Sequence, residues 1–267
     1  MNIYFNNVNI LYIILITFIS SLILIPLIRN IAVHINAMDI PEKRKIHKKP
    51  MPRLGGLAIF LSFLVGYMFF APLTTQMISI LIGGFIIILL GIIDDINPLQ
   101  ARIKFSGQII AALILVFYGK IYITDISLFG VYLNLGVWAY PISLFIIVAC
   151  INSINLIDGL DGLAAGTSSI YFLTIIVLSI LLGRFDNLGF VLCLIMLGST
   201  LGFLYHNFNP ATIFMGDTGS MFLGFMIAVV ALLGFKTATL TSFIVPILIL
   251  FIPILDTLLA IPSTNFL

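Results

Sequence analysis

The sequence predicts an all-α fold: a polytopic bundle of about nine membrane-spanning helices, forming one domain over residues 1–267. Hydrophobic residues make up 61% of the chain and charged residues only 8%, and the mean hydropathy is +1.26, far outside the range of soluble domains. The apolar residues come in runs close to the ~20 residues that cross a hydrocarbon core. Acids stand at the ends of these runs, as Asp94-Asp95, Asp158/Asp161 and Asp217. A carboxylate at the edge of a bilayer is costly, which makes these three clusters functional candidates.

The first run, Val8 to Ile28, has no Lys or Arg before it and Arg29 just after it, the reverse of a cleaved signal peptide, so it is read as the first span. The others are expected at 54–71, 76–93, 105–118, 138–156, 163–182, 188–206, 219–234 and 242–260. Segment 29–53 holds seven of the twelve basic residues, which places it in the cytoplasm and the N-terminus outside. Segments 94–104, 157–162 and 207–218 then also face inward, as does the C-terminus. Of the ten acids only Asp125 and Asp186 fall outside, an asymmetry not used to set the orientation. Cys150 and Cys193 lie within apolar runs and read as small buried hydrophobes.

Each inward segment carries a polar motif. Asp94-Asp95 ends a helix, where two carboxylates oppose the local dipole and each other; a divalent cation would relieve that, or Arg102 and Lys104 could pair with them. Segment 152–162, Asn-Ser-Ile-Asn-Leu-Ile-Asp-Gly-Leu-Asp-Gly, spaces its polar residues by three, and its glycines predict a helix break that lets side chains converge. Such a site suits a sugar, a base or a metal; an interhelical polar network is the plainer alternative. Segment 206–220 ends one span and starts another, and Asp217 or Thr218 serves either as the N-cap of the latter or, for Asp217, as a cation ligand beside a phosphate-binding helix terminus. The basic stretch 41–56 suits anionic headgroups, and its shift from Pro-Met-Pro-Arg into Gly55-Gly56 could bring Arg53 and His47 to a phosphate.

Together, Lys-Ile-His and Pro-Met-Pro-Arg-Leu-Gly-Gly within 45–56, Gly-Ile-Ile-Asp-Asp at 91–95, Asn-Ser-Ile-Asn-Leu-Ile-Asp-Gly-Leu-Asp-Gly-Leu-Ala at 152–164 and Phe-Met-Gly-Asp-Thr-Gly-Ser at 214–220 resemble the polyprenyl-phosphate N-acetylhexosamine-1-phosphate transferases. The Pro-Arg-Leu-Gly-Gly form is more similar to the branch that starts teichoic acid and related surface polymers than to the muramoyl-pentapeptide branch. The resemblance implies a cytoplasmic-face active site in a bacterial cell membrane. There GlcNAc-1-phosphate would pass from UDP-N-acetylglucosamine to undecaprenyl phosphate with release of UMP. It also implies Mg²⁺, with Mn²⁺ as a substitute, held by Asp217, Asp94 and Asp95, which form the catalytic set. Lys45, His47 and Arg53 would meet phosphates, and Asn155, Asp158, Asp161, Asn207 and Phe214 would line the nucleotide-sugar pocket. The expected partners are the two substrates and the lipid bilayer, with a homodimer as one option and no nucleic acid.

After Asp256-Thr257 the family continues into a loop rich in His and Arg and then further spans, whereas here residues 258–267 contain no His, Arg or Lys. The expectation is therefore a C-terminally truncated member that binds Mg²⁺ and nucleotide sugar weakly. Other function classes fit less well. An intramembrane aspartyl protease or a transporter would set its acids at membrane depth; a non-catalytic membrane scaffold stays open as an alternative because of the short C-terminus.

Overall fold

The computed structural model describes residues 4–5, 8–41, 50–128, 131–185 and 187–235. A two-residue hairpin, β1 (Tyr4–Phe5) with β2 (Val8–Asn9), leads into α1 (Ile10–His34), whose N-terminus is capped by the Asn9 side chain accepting from Leu11 N–H at 3.0 Å. β3 (Met38–Asp39) and β4 (Met51–Pro52) pair antiparallel and precede α2 (Gly55–Phe70). Then follow α3 (Thr75–Ile96), α4 (Ala101–Leu113) with a π-turn continuation to Tyr118, and the hairpin of β5 (Asp125–Leu128) and β6 (Val131–Asn134). α5 (Ala139–Ile157), α6 (Leu163–Leu181), α7 (Leu188–Asn207) and α8 (Gly216–Phe235) complete the described chain.

Eight of the nine expected spans correspond to these helices; the ninth, 242–260, lies outside the described residues. Among the described residues seven helices are long and apolar enough to cross a membrane, and the protein is a multi-pass membrane protein. α2, with 16 residues, is shorter than a full crossing: at 1.5 Å per residue it covers about 24 Å of a ~30 Å hydrocarbon layer. The expected first span stops at Ile28, yet α1 runs on through Arg29 to His34 and keeps Pro26 inside it. Membrane helices tolerate such a proline because neighbouring helices re-satisfy the freed carbonyl.

α8 forms the centre and packs chiefly on α5, α3 and α2; α7 lies between α1 and α6. In α8 89% of the membrane-length window is buried, against 22% in α1, whose Leu11, Ile19 and Ile23 point outward as a lipid-facing surface would. Phe222 of α8 meets Phe60 and Phe63 of α2 edge-on at 5.2 and 5.5 Å. Where helices cannot rely on water to drive association, hydroxyls and amides join them. Ser62 Oγ donates to the Thr17 carbonyl at 2.6 Å and pairs with Ser199 Oγ at 2.9 Å, and Asn152 Nδ2 donates to Gln108 Oε1 at 2.7 Å. The expected break after α5 is present: the helix stops at Ile157, and Gly162 at φ 73° starts α6. As a result the segments holding Asp39, Arg53, Asp94, Lys104, Asp158 and Asp217 meet at one end of the bundle.

Candidate active site

The site is built on a backbone rack. β4 lies between β3 and the residues before α8: Phe214 N–H donates to the Pro52 carbonyl at 2.8 Å, and Gly55 and Gly56 N–H donate to the Phe214 and Met215 carbonyls, each at 2.9 Å. Two motifs 160 residues apart are thereby joined into one surface. Gly56 of α2 and Gly91 of α3 touch the backbone of Gly219 and Thr218, where a Cβ would collide.

Asp95, wholly buried, caps α8 from a different helix. Its Oδ1 accepts Asp217 N–H at 2.9 Å, and its Oδ2 accepts Thr218 N–H at 3.0 Å and the Thr218 hydroxyl at 2.6 Å. Arg53 Nη2 stands 3.3 Å from Oδ1. These four contacts match the acceptor capacity of a carboxylate. The sequence-based alternative of Asp217 or Thr218 as N-cap is thus corrected: the cap is Asp95, because α3 brings it to the α8 terminus.

The Asp217 side chain is left to line a cleft. Its Oδ2 lies 2.9 Å from Lys104 Nζ, and its Oδ1 lies 3.7 Å from Arg53 Nη2. Asp94 accepts Leu99 N–H at 2.8 Å through Oδ1, while its Oδ2 lies 3.3 Å from the same Lys104 ammonium. Arg53 also reaches Asp39, at 3.7 Å. Lys104 and Arg53 therefore sit between four acids contributed by three separate segments, β3, α3 and α8.

The cleft has a volume of about 830 Å³, and its walls include Arg53, Asn155, Asp158, Asp161, Phe214 and Asp217. Asn155 Nδ2 donates to Ser220 Oγ at 2.9 Å. Asp158 follows the last residue of α5, and desolvation, reinforced by the negative charges of Asp95 and Asp217, pushes its carboxyl up to about 7. Asp161 Oδ2 accepts from Ala211 N–H at 3.0 Å and Asn209 Nδ2 at 3.3 Å. Asn207 accepts Gly162 N–H at 3.1 Å and donates to the Ile213 carbonyl at 2.9 Å. These last two residues tie the 157–162 turn to the 207–214 loop and so set the far wall.

Of the residues expected in the site, Asp94, Asp95, Asp217, Arg53, Asn155, Asp158, Asp161, Asn207 and Phe214 are brought together; Lys45 and His47 lie outside the described residues. The sequence predicts Lys104 only as a partner for Asp94-Asp95 at a solvated helix end, and it does not predict Asp39 in the site. Lys104's position in the first turn of α4, ten residues after Asp94, was the available signal; Asp39 gave none, because its contact depends on the β3–β4 pairing. Among the described residues no three His, Cys, Asp or Glu side chains gather to hold a metal by themselves. Mg²⁺ does not require that, since it takes one or two carboxylates and completes its shell with water and phosphate oxygens. Asp217 at the cleft wall with Asp94 behind it fits such an ion.

Fold and site define a membrane-embedded bundle with a carboxylate-rich, cation-balanced cleft at one end. Residues 77–235 match the family model for glycosyl transferase family 4. Over 250 residues the chain is 46% identical to a Bacillus subtilis (strain 168) protein described as a probable undecaprenyl-phosphate N-acetylglucosaminyl 1-phosphate transferase, covering 92% of this chain and 69% of that protein. It is 36% identical over 266 residues to the decaprenyl-phosphate N-acetylglucosaminephosphotransferase of Mycobacterium tuberculosis (strain ATCC 25618 / H37Rv), covering 88% and 65%. A phospho-N-acetylmuramoyl-pentapeptide-transferase of Wolbachia pipientis wMel is 37% identical over 197 residues, covering 69% and 60%. The chain belongs to the polyprenyl-phosphate hexosamine-1-phosphate transferases of glycosyl transferase family 4, and it spans about two thirds of the length of these relatives.

Proposed function

We propose that the protein transfers GlcNAc-1-phosphate from UDP-N-acetylglucosamine to undecaprenyl phosphate, with Mg²⁺, as the first membrane step of a cell-envelope polymer such as teichoic acid. The observation that carries this reading is the position of Asp217 in the cleft wall, at the N-terminus of α8, between Arg53 and Lys104. A cleft of about 830 Å³ is of the size that encloses a small-molecule ligand. The relatives named for N-acetylglucosamine phosphate transfer cover more of this chain than the pentapeptide transferase does, which favours that donor.

In the proposed reaction an oxygen of the lipid phosphate forms a bond to the β-phosphorus of the donor. The bond from that phosphorus to the oxygen shared with the α-phosphate breaks, and UMP leaves with the electron pair. A phosphate monoester whose second pKa lies near 6 is largely dianionic at pH 7, so no strong base is required. Bringing two anions together is the harder task, and it calls for positive charge held in place. Arg53 and Lys104 supply that charge beside Asp217. Asp95 orients the α8 terminus, and Asp94 with Asp217 would hold Mg²⁺, whose charge would offset that of the diphosphate. Asn155, Asp158 and Phe214 face the sugar and base, with Asp161 and Asn207 shaping their wall.

The test is to place the purified protein in lipid nanodiscs with undecaprenyl phosphate, Mg²⁺ and either UDP-N-acetylglucosamine or UDP-muramoyl-pentapeptide. UMP release and a lipid-linked GlcNAc diphosphate with the first donor support the reading. A lipid product from the second donor alone, or no UMP from either, overturns it.

A further inference from the structure

Lys104 makes the tightest charge contact in the site, 2.9 Å to Asp217 Oδ2, and lies 3.3 Å from Asp94 Oδ2. It thus spans the two carboxylates, from α3 and α8, that the proposed function gives to a divalent cation. Arg53 is bound differently. Its carboxylate contacts are longer, at 3.3 to 3.7 Å, and its backbone is fixed in the rack through a 3.0 Å hydrogen bond from its N–H to the Ala37 carbonyl. Lys104 carries a compact ammonium on a flexible four-carbon stem, and 26% of its side chain reaches the surface. A divalent ion shared by Asp217 and Asp94 would compete with this ammonium for the two Oδ2 atoms it bridges, and the two cations repel.

We propose that Lys104 is an exchangeable counter-ion of Asp217: it holds the carboxylate while no divalent cation is bound and departs when one arrives, which frees its ammonium for the anionic ligand that follows. The inference rests on the reading of Asp217 as a cation ligand. Lys104 then acts in opposite senses on the two binding events. It competes with the metal alone and assists binding of the phosphate group.

The test measures Mn²⁺ binding to the protein in nanodiscs by the electron paramagnetic resonance of the free ion. Lys104→Met is expected to bind Mn²⁺ about tenfold more tightly, because a positive charge a few ångströms away is removed, whereas Lys104→Arg stays near wild type. Unchanged or weaker Mn²⁺ binding in Lys104→Met overturns the proposal. If the wild type takes up Mn²⁺ and Asp217→Asn takes it up equally well, the reading of Asp217 as ligand has failed, and this proposal with it. A second measurement needs no variant: amine acylation of the wild type, read by mass spectrometry, should label Lys104 more heavily when Mn²⁺ is added, and less again when inorganic diphosphate joins it. Lys104 labelling that does not change on saturation with Mn²⁺ overturns the exchange.

Discussion

Asp95 of α3 holds the first turn of α8 by accepting both the backbone N–H and the hydroxyl of Thr218, at 3.0 and 2.6 Å. The carboxylate is wholly buried and faces Arg53. Removing it orphans the buried N–H and hydroxyl of Thr218 and the half-buried N–H of Asp217. Asp95→Ala should therefore lower stability by about 2–4 kcal/mol, seen as an earlier thermal transition in detergent. Asp217→Asn, by contrast, should unfold near the wild-type temperature while losing UMP release. Equal melting of Asp95→Ala and wild type would contradict the capping role.

Gly216 opens that turn at φ +71°, and a Cβ there would strike the Asp95 carboxylate. Both the backbone and the space demand glycine. Gly216→Ala should cost more than about 2 kcal/mol. Gly166 is the control: it lies inside α6, where an added Cβ meets nothing within 4 Å, so Gly166→Ala should be neutral or stabilising by up to about 1 kcal/mol. Melting curves should show Gly216→Ala well below wild type and Gly166→Ala at or above it.

Asp158 gives stability a pH dependence of defined sign. Its carboxyl is raised from 3.8 to about 7 by desolvation, so the fold favours the protonated form. The contribution of this group is complete below pH 3.8 and is lost as pH rises through about 7. Asp158→Asn should remove the loss, making the variant relatively more stable at pH 8 than at pH 4.5. Parallel melting temperatures for variant and wild type across that range would count against the assignment.

Ser62 links three helices through Thr17 and Ser199 without approaching the cleft. Interhelical hydrogen bonds in membranes contribute about 0.6 kcal/mol on average. Ser62→Ala should cost about that much in a reversible denaturation experiment and leave UMP release intact. A large loss of activity would place Ser62 in an unexpected coupling to the site.

The spans were legible because they rest on composition: a run such as 188–206 has no alternative to a buried helix, and α7 forms over Leu188–Asn207. Asp217, Asp158 and Arg53 were legible because charged residues beside such runs are rare. Which acid meets which donor was not. That Asp95 rather than Thr218 caps α8 depends on the close approach of α3 and α8 at Gly91, and Lys104 reaches Asp217 only because α4 turns back beside α3. The short β3–β4 pairing that presents Asp39 to Arg53 involves two residues a side, too few for a periodic signal.

The rack that binds residues 52–56 to 214–215 can close only after the chain has been made as far as α8. Helices emerge from the ribosome in chain order, so Arg53 and Lys104 are made long before Asp217. Asp94 and Asp95 arrive between them and can pair with both cations while the C-terminal half is still being synthesised. Arg53 and Lys104 thus have carboxylate partners before α8 is made, and insertion of α8 adds Asp217 to both.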